Sequence, residues 1–251
     1  MESLKDIKAR FAALPMELWE EALTELEQDE RQGVIHFSES CRKKMKKQEE
    51  ERFRIQTMQK FEQELAGGQI LAGIDEAGRG PLAGPVVAAA VIMPPDCKIL
   101  YINDSKKLSA AKREELFDRI MDEAVAVGIG ISSPGRIDEI NILQATYEAM
   151  RTAVAELETV PAVLVNDAVI IPQIAIPQKP VIKGDAKCYS IAAASIIAKV
   201  TRDRMMIQYD ELYPEYGFAG HKGYGSAAHI EALKKYGPCP IHRQSFIGNF
   251  F

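Results

Sequence analysis

Hydrophobic positions along the chain follow two different periods. Up to about Ala66, apolar residues return every three or four positions: Leu4, Ile7, Phe11, Leu14 and Leu18, then Leu23 and Leu26. That spacing predicts helices with one apolar face. From Ser40 to Glu64 the chain is mostly Arg, Lys, Glu and Gln, with Met45, Phe53, Met58 and Phe61 among them. A long, exposed helix with one thin apolar stripe is expected there. Gly67 and Gly68 mark a boundary, giving a helical N-terminal extension over 1–66 and a main domain over 67–251. Beyond it, β-type and helical patterns alternate. Strands are expected at Ile70–Asp75, Val86–Met93, Val125–Ser132 and Val163–Asp167, and helices at Ala110–Ala124, Ile137–Leu157, Ile191–Asp210 and Ser226–Tyr236. Alternation of this kind predicts an α/β fold with a mixed sheet flanked by helices. The proline-rich stretch Ile171–Pro180 should be extended.

Composition narrows the class without deciding it. The 251 residues are 47% hydrophobic and 27% charged, enough for a full core. No apolar run reaches membrane-spanning length, and the start M-E-S-L-K-D-I-K lacks an apolar leader core, so a soluble cytoplasmic protein is expected. Cys41, Cys97, Cys188 and Cys239 are scattered, which argues against a disulfide framework or a zinc site. A net charge of −5 argues mildly against non-specific nucleic-acid binding. Local basic clusters such as Arg42–Lys47 carry more information. That cluster is either part of a solvated arm or a grip on nucleic acid.

The densest chemistry lies in I-L-A-G-I-D-E-A-G-R-G-P-L-A-G-P, Ile70 to Pro85. An apolar strand ends on Asp75 and Glu76, and a glycine turn, Gly78–Arg79–Gly80, leads into a second apolar run. Adjacent carboxylates at a strand end repel unless a cation compensates them. Mg2+ and Mn2+ prefer such oxygens. A hairpin turn with a solvated acid pair is the plainer alternative. Asp167 ends the run A-V-L-V-N-D, and Asp185 precedes the small-residue stretch Ser190–Val200. Locally these two acids read equally well as a turn cap and a helix-terminal acid. Four acids, two of them adjacent, without histidine spacing for zinc, are what a two-metal phosphodiester-cleaving site needs. Lys106, Lys107, Lys183 and Lys187 offer phosphate contacts. So does Lys222 in Y-G-F-A-G-H-K-G-Y-G, where Tyr224 could stack on a base or simply help cover the core.

Six ordered blocks carry a family resemblance: I-D-E-A-G-R-G-P-L-A-G-P, D-S-K-K-L-S, K-G-D-A-K, S-I-A-A-A-S-I-I-A-K-V-T-R-D, Y-G-F-A-G-H-K-G-Y-G and H-R-Q-S-F. From Ile70 to about Phe246 the chain resembles bacterial type 2 ribonuclease H, ribonuclease HII, here with an N-terminal helical extension. The resemblance implies a ribonuclease H-like fold with a mixed five-stranded sheet. It implies endonucleolytic cleavage of RNA in RNA–DNA hybrids, with nicking at single ribonucleotides in DNA and 5′-phosphate and 3′-hydroxyl products. Asp75, Glu76, Asp167 and Asp185 match the acids that bind Mg2+ or Mn2+ and carry catalysis. Gly78, Arg79 and Gly80 match the turn that senses the 2′-hydroxyl, and Tyr224 matches a stacking tyrosine. Two residues depart from the pattern: Asn166 stands where an apolar residue is usual, and Cys188 where a small hydroxyl residue is. The tail Q-S-F-I-G-N-F-F has the spacing of a sliding-clamp peptide through Gln244, Ile247, Phe250 and Phe251, or is a family tail packed on the core. A monomer is expected. The alternatives are a type 3 ribonuclease H, which tends to carry a β-containing N-terminal domain, and a catalytically silent hybrid-binding module.

Overall fold

Residues 2–250 are described by the computed structural model, and the chain divides between Gln56 and Thr57 into two units. In the first, helix α1 (Leu4–Ala13) starts at Ser3, whose side chain accepts from the Asp6 N–H. Helix α2 (Trp19–Thr24) and the first turns of α3 (Gln32–Ala66) follow. Ile7, Phe11, Leu23, Val34 and Cys41 form the unit's buried core. Phe11 meets Trp19 and Phe37 edge-on at 5.7 and 5.3 Å. Leu18, expected on the same stripe, is exposed. Arg42 to Lys44, Lys46 and Lys47 face solvent, and Arg42 pairs with Glu27.

The second unit begins inside α3. Its elements run β1 (Leu71–Ala77), β2 (Val86–Ile92), α4 (Ala110–Glu123), β3 (Ala126–Ser132), α5 (Pro134–Ala155), β4 (Val163–Asp167), β5 (Gln178–Val181), α6 (Gly184–Lys187), α7 (Tyr189–Leu212), α8 (Phe218–His221), α9 (Ala227–Tyr236) and α10 (Gln244–Ile247). The sheet order is β3-β2-β1-β4-β5. β1 pairs antiparallel with β2 and parallel with β4. The proline-rich stretch yields the edge strand β5, a strand the hydrophobic pattern did not reveal. Pro180 fits there because an edge strand tolerates a missing N–H.

Small residues set how closely the helices approach the sheet. A Cβ on Gly73 would lie 2.3 Å from the Ile191 nitrogen in α7, and one on Gly130 would lie 1.9 Å from the Ala149 oxygen in α5. One face of the sheet buries Ala72, Ile74, Ala88 and Leu164 against Ala145, Ala149 and Ala153. The other buries Leu71, Val163 and Val165 against Cys188 and Ile191. Helix α5 breaks at Asn141 (φ 67°), whose side chain accepts from the Leu143 and Gln144 N–H groups and restarts the helix. Helix α7 has no side-chain cap from Cys188. Instead Glu62, near the end of α3, accepts from the Ser190 N–H at 2.7 Å and the Ser190 hydroxyl at 2.6 Å. A carboxylate also suits the positive end of the helix dipole. Among the described residues no helix is long and apolar enough to cross a membrane.

The contact at Gly73 is main chain on both sides, so no side chain can swing away to relieve it. Gly73→Ala is expected to lower unfolding stability by about 2–3 kcal/mol, the usual scale of core overpacking. Urea denaturation measures this, and an unchanged midpoint would mean that α7 does not rest on β1 as described.

Candidate active site

Parallel pairing of β1 with β4 places two acids side by side. Ile74 is in register with Asn166, so Asp75 and Asp167 come next on neighbouring strands. Asp75 is buried and accepts a hydrogen bond from Ser195 of α7. Burial, then the charge of Glu76, pushes its carboxyl well above the usual range, and Asp167 adds to this. Glu76 points to the opposite face, as strand alternation requires. Its carboxylate takes the Arg79 guanidinium at 3.2 Å, yet burial still raises its pKa. Asp167 is oriented by the Gly184 N–H, which donates to it at 2.8 Å. A Cβ at 184 would lie 2.5 Å from the end of the Ile191 side chain, so glycine lets this turn sit close to α7. Asp185 follows in the same turn. Burial, then Asp104 and Asp167, raises its carboxyl.

Asp75, Glu76 and Asp185 each lie within electrostatic reach of Asp167, and Asp104 joins at Asp185 from the segment before α4. Among the described residues, no three His, Cys, Asp or Glu side chains stand close enough together to hold a metal ion in this arrangement. The donor chemistry nevertheless fits a hard divalent cation. Asp75 is a buried carboxylate with no Lys or Arg ion pair among the described residues, and two neighbouring acids repel it.

A cleft of about 530 Å3 opens beside Asp75 and Glu76, lined also by Gly78, Arg79, Gly80, Lys106, Lys199, Arg202, Tyr224 and Phe246. Lys106 weakens the repulsion at Glu76 and Asp185, and Lys107 does so at Asp185. Arg113 of α4 holds their segment by donating to the Ser105 and Leu108 carbonyls at 2.9 and 2.6 Å. Lys187 is exposed beyond Asp185 and does not line the cleft. Lys222 turns back onto the Ala219 carbonyl, and its own carbonyl accepts from Arg202. Gln244 is exposed and Phe250 half-buried, whereas Ile247 is buried. Asp138 of α5 pins their turn by accepting from the Gln244 and Ser245 N–H groups. Phe251 lies outside the described residues.

The two departures from the family pattern leave the acids alone. Asn166 faces away from Asp167 and donates to Gln178 of β5 at 2.8 Å and to the Val169 carbonyl at 3.2 Å. The Cys188 thiol donates to Glu62 at 3.1 Å, the bond a hydroxyl would make, and burial beside that acid holds it protonated.

Sequence reasoning passed over the buried arginines. Arg202 and Arg243 are 1% and 0% exposed and together donate to the carbonyls of Gly78, Arg79, Ala83, Gly84, Pro85 and Lys222. The signal was an arginine inside the otherwise small and apolar α7 block, and another between Ile241 and Phe246. It also passed over a histidine chain. The Cys239 N–H donates to His242 Nδ1 at 2.9 Å, so the proton of that ring is on Nε2. His229 Nδ1 donates to the Tyr224 carbonyl at 2.9 Å, so its Nε2 is bare and accepts from His242 at 3.0 Å. His221 stacks on His229 with centroids 4.4 Å apart. The chain thus ties the 239–242 turn to the main chain of Tyr224, whose ring reaches the cleft.

A mixed five-stranded sheet with carboxylates gathered at the ends of its two central parallel strands defines a ribonuclease H-like nuclease. Residues 72–249 match the family model "Ribonuclease HII", and residues 3–66 match "Ribonuclease HII N-terminal domain". The ribonuclease HII of Lachnoclostridium phytofermentans is 60% identical over 88% of this chain and 87% of its own length. That of Clostridioides difficile is 51% identical over 99% and 98%. Among solved structures, the PCNA:RNase HII complex of Archaeoglobus fulgidus aligns with a TM-score of 0.60 at 29% identity, covering 72% of this chain and 96% of that one. The chain belongs to the ribonuclease HII family. It is a divalent-metal-dependent endoribonuclease acting on RNA–DNA hybrids.

The histidine chain holds only with neutral rings. Burial, then the charge of His229, lowers His242 from 6.5 to about 4, and burial lowers His229 as well. Between about pH 6.5 and 4 the unfolded chain binds protons that the folded one refuses. This contribution to stability therefore falls as pH falls, by up to about 3 kcal/mol for His242. The raised carboxyls of Asp75 and Glu76 act in the opposite direction, so a titration of the ring itself is the decisive measurement. At pH 5, NMR is expected to find His242 neutral and protonated on Nε2; an imidazolium signal there would contradict the chain.

Proposed function

We propose that this enzyme cuts at single ribonucleotides embedded in duplex DNA as well as in longer hybrids, on the 5′ side of the ribonucleotide, leaving 5′-phosphate and 3′-hydroxyl ends. The observation that carries this reading is the cleft itself. The glycine turn, Tyr224 and the Asp75–Glu76 pair border one space of about 530 Å3. Asp75, Glu76, Asp167 and Asp185 would hold Mg2+ or Mn2+. Such ions, once bound, polarise the phosphate and lower the pKa of water. The protein's part is to hold the acids in place: Ser195 on Asp75, Arg79 on Glu76 and the Gly184 N–H on Asp167. Lys106 and Lys107 offer charge to the phosphate. The exposed Tyr224 ring offers a stacking face to the nucleotide after the ribose. The N–H groups of the 78–80 turn can donate to a 2′-oxygen, the atom that separates RNA from DNA.

The test is a duplex carrying one ribonucleotide, incubated with and without Mg2+ or Mn2+. A single nick 5′ of the ribonucleotide supports the reading. Poor cutting beside good cutting of long hybrids would point to type 3 behaviour, and an intact strand would point to a binding module.

Clamp docking through Gln244, Ile247, Phe250 and Phe251 is a secondary reading. It is supported by their spacing and by the PCNA complex of the Archaeoglobus relative. It requires the turn at Asp138 to open, because Ile247 is buried. Unchanged clamp affinity after deletion of 249–251 would remove it.

Asp75→Asn should keep the fold and lower kcat by about a thousandfold or more, since one charge of the ion-holding group is lost. Near-normal turnover would reassign the acid. Tyr224→Ala is expected to reduce preference for the RNA–DNA junction by about tenfold, the scale of one lost stacking contact. Cleavage of junction against all-RNA hybrid substrates in parallel reads this out, and equal preference before and after would remove the stacking role.

A further inference from the structure

Two guanidiniums lie buried beneath the glycine turn, held by main-chain carbonyls. Arg243 donates from Nε to the Gly84 carbonyl (2.9 Å), from Nη1 to Arg79 (2.9 Å) and from Nη2 to Gly78 (2.5 Å) and Pro85 (3.2 Å). Arg202 donates from Nε to Pro85 (2.9 Å), from Nη1 to Lys222 (3.0 Å) and from Nη2 to Ala83 (3.1 Å). Among the described residues neither forms an ion pair with a carboxylate, although burial opposes both charges and the charge of Arg202 also opposes that of Arg243. Burying a cation this way is expensive unless every donor is satisfied. Here main-chain oxygens satisfy them, and most of those oxygens belong to the loop between β1 and β2.

Peptide geometry converts that arrangement into a statement about the other side of the loop. In a trans peptide the C=O and the following N–H point in opposite directions, and no cis peptide occurs among the described residues. With the Gly78 and Arg79 carbonyls turned in toward Arg243, the N–H groups of Arg79 and Gly80 are turned away from it. Both residues line the cleft, and neither N–H donates to a protein acceptor among the described residues. Gly78 has φ 94°, and a Cβ there would lie 2.1 Å from Arg202 Nε, so only glycine lets the guanidinium lie against this turn. A carbonyl that accepts from a cation also polarises its own amide and strengthens the outward donor.

We infer that Arg243 and Arg202 are positioning residues for sugar discrimination: Arg243 draws the Gly78 and Arg79 carbonyls inward, Arg202 holds the same loop at Ala83 and Pro85 and packs against Gly78, and the Arg79 and Gly80 N–H groups are thereby presented to the 2′-oxygen of a ribonucleotide. This rests on the reading of the 78–80 turn as the 2′-hydroxyl sensor. A deoxyribose lacks the acceptor and leaves both donors to water, so the discrimination depends on the orientation of the turn. A general structural role would lower affinity for all duplexes alike.

The test measures the ratio of affinities for a DNA duplex with one ribonucleotide and its all-deoxy counterpart, in Ca2+ to suppress cleavage, by fluorescence anisotropy. Arg243→Lys and Arg202→Lys keep the charge but lose the planar fork. Each is expected to lower the ratio about tenfold, the scale of one well-oriented hydrogen bond. All-deoxy affinity should stay within about twofold and melting within a few degrees. An unchanged ratio in the folded variants overturns the inference while leaving 2′-recognition intact. So does failure of both variants to fold, which would assign the guanidiniums to the fold alone. A ratio near one for the unaltered enzyme would remove the sensor reading and the inference with it.

Discussion

Carboxylates crowded at the ends of two parallel strands repel one another, and the catalytic unit is arranged to hold them there. Asp75 and Asp167 are neighbours because β1 and β4 pair in parallel, and Asp185 joins them because Gly184 anchors its turn on Asp167. Burial strengthens the repulsion by removing water, so the raised carboxyls of Asp75, Glu76 and Asp185 are one physical consequence seen three times. A divalent cation held there would relieve that strain, so a site costly for the free protein would suit an enzyme that needs metal.

Positive charge is placed by a different rule. Lysines near the acids reach the cleft from the surface, where water and substrate can meet them. The two arginines are instead buried and neutralised by main-chain dipoles, so their effect is mechanical and local: they fix a loop. Tyr224 is held in a comparable way by the histidine chain behind its carbonyl. Each wall of the cleft that would touch a sugar or base is thus stiffened from within by a polar network whose donors and acceptors are matched.

The helix Gln32–Ala66 contributes to both units. Its early turns cover the core around Phe11, and its end supplies Glu62, which caps the helix carrying Ser195, Lys199 and Arg202. The charged composition read as a solvated arm therefore includes one carboxylate with a defined structural task. Charge density alone does not separate a residue that faces water from one that faces a helix terminus.

The sequence by itself determined the architecture class and singled out four candidate acids. Strand and helix periods from Gln69 onward located all the larger elements, and ordered motifs pointed to Asp75, Glu76, Asp167 and Asp185. These signals are local, because alternation and adjacency are written into neighbouring residues. Tertiary structure decided what depends on distant partners: that Pro180 lies in an edge strand, that Asn166 is tied to Gln178 of that strand, that Lys222 folds back on its own loop, and that Arg202 and Arg243 lie beneath the glycine turn. A buried guanidinium and an exposed one are the same letter in the sequence. Only the carbonyls brought to Arg243 from residues more than 150 positions earlier distinguish them.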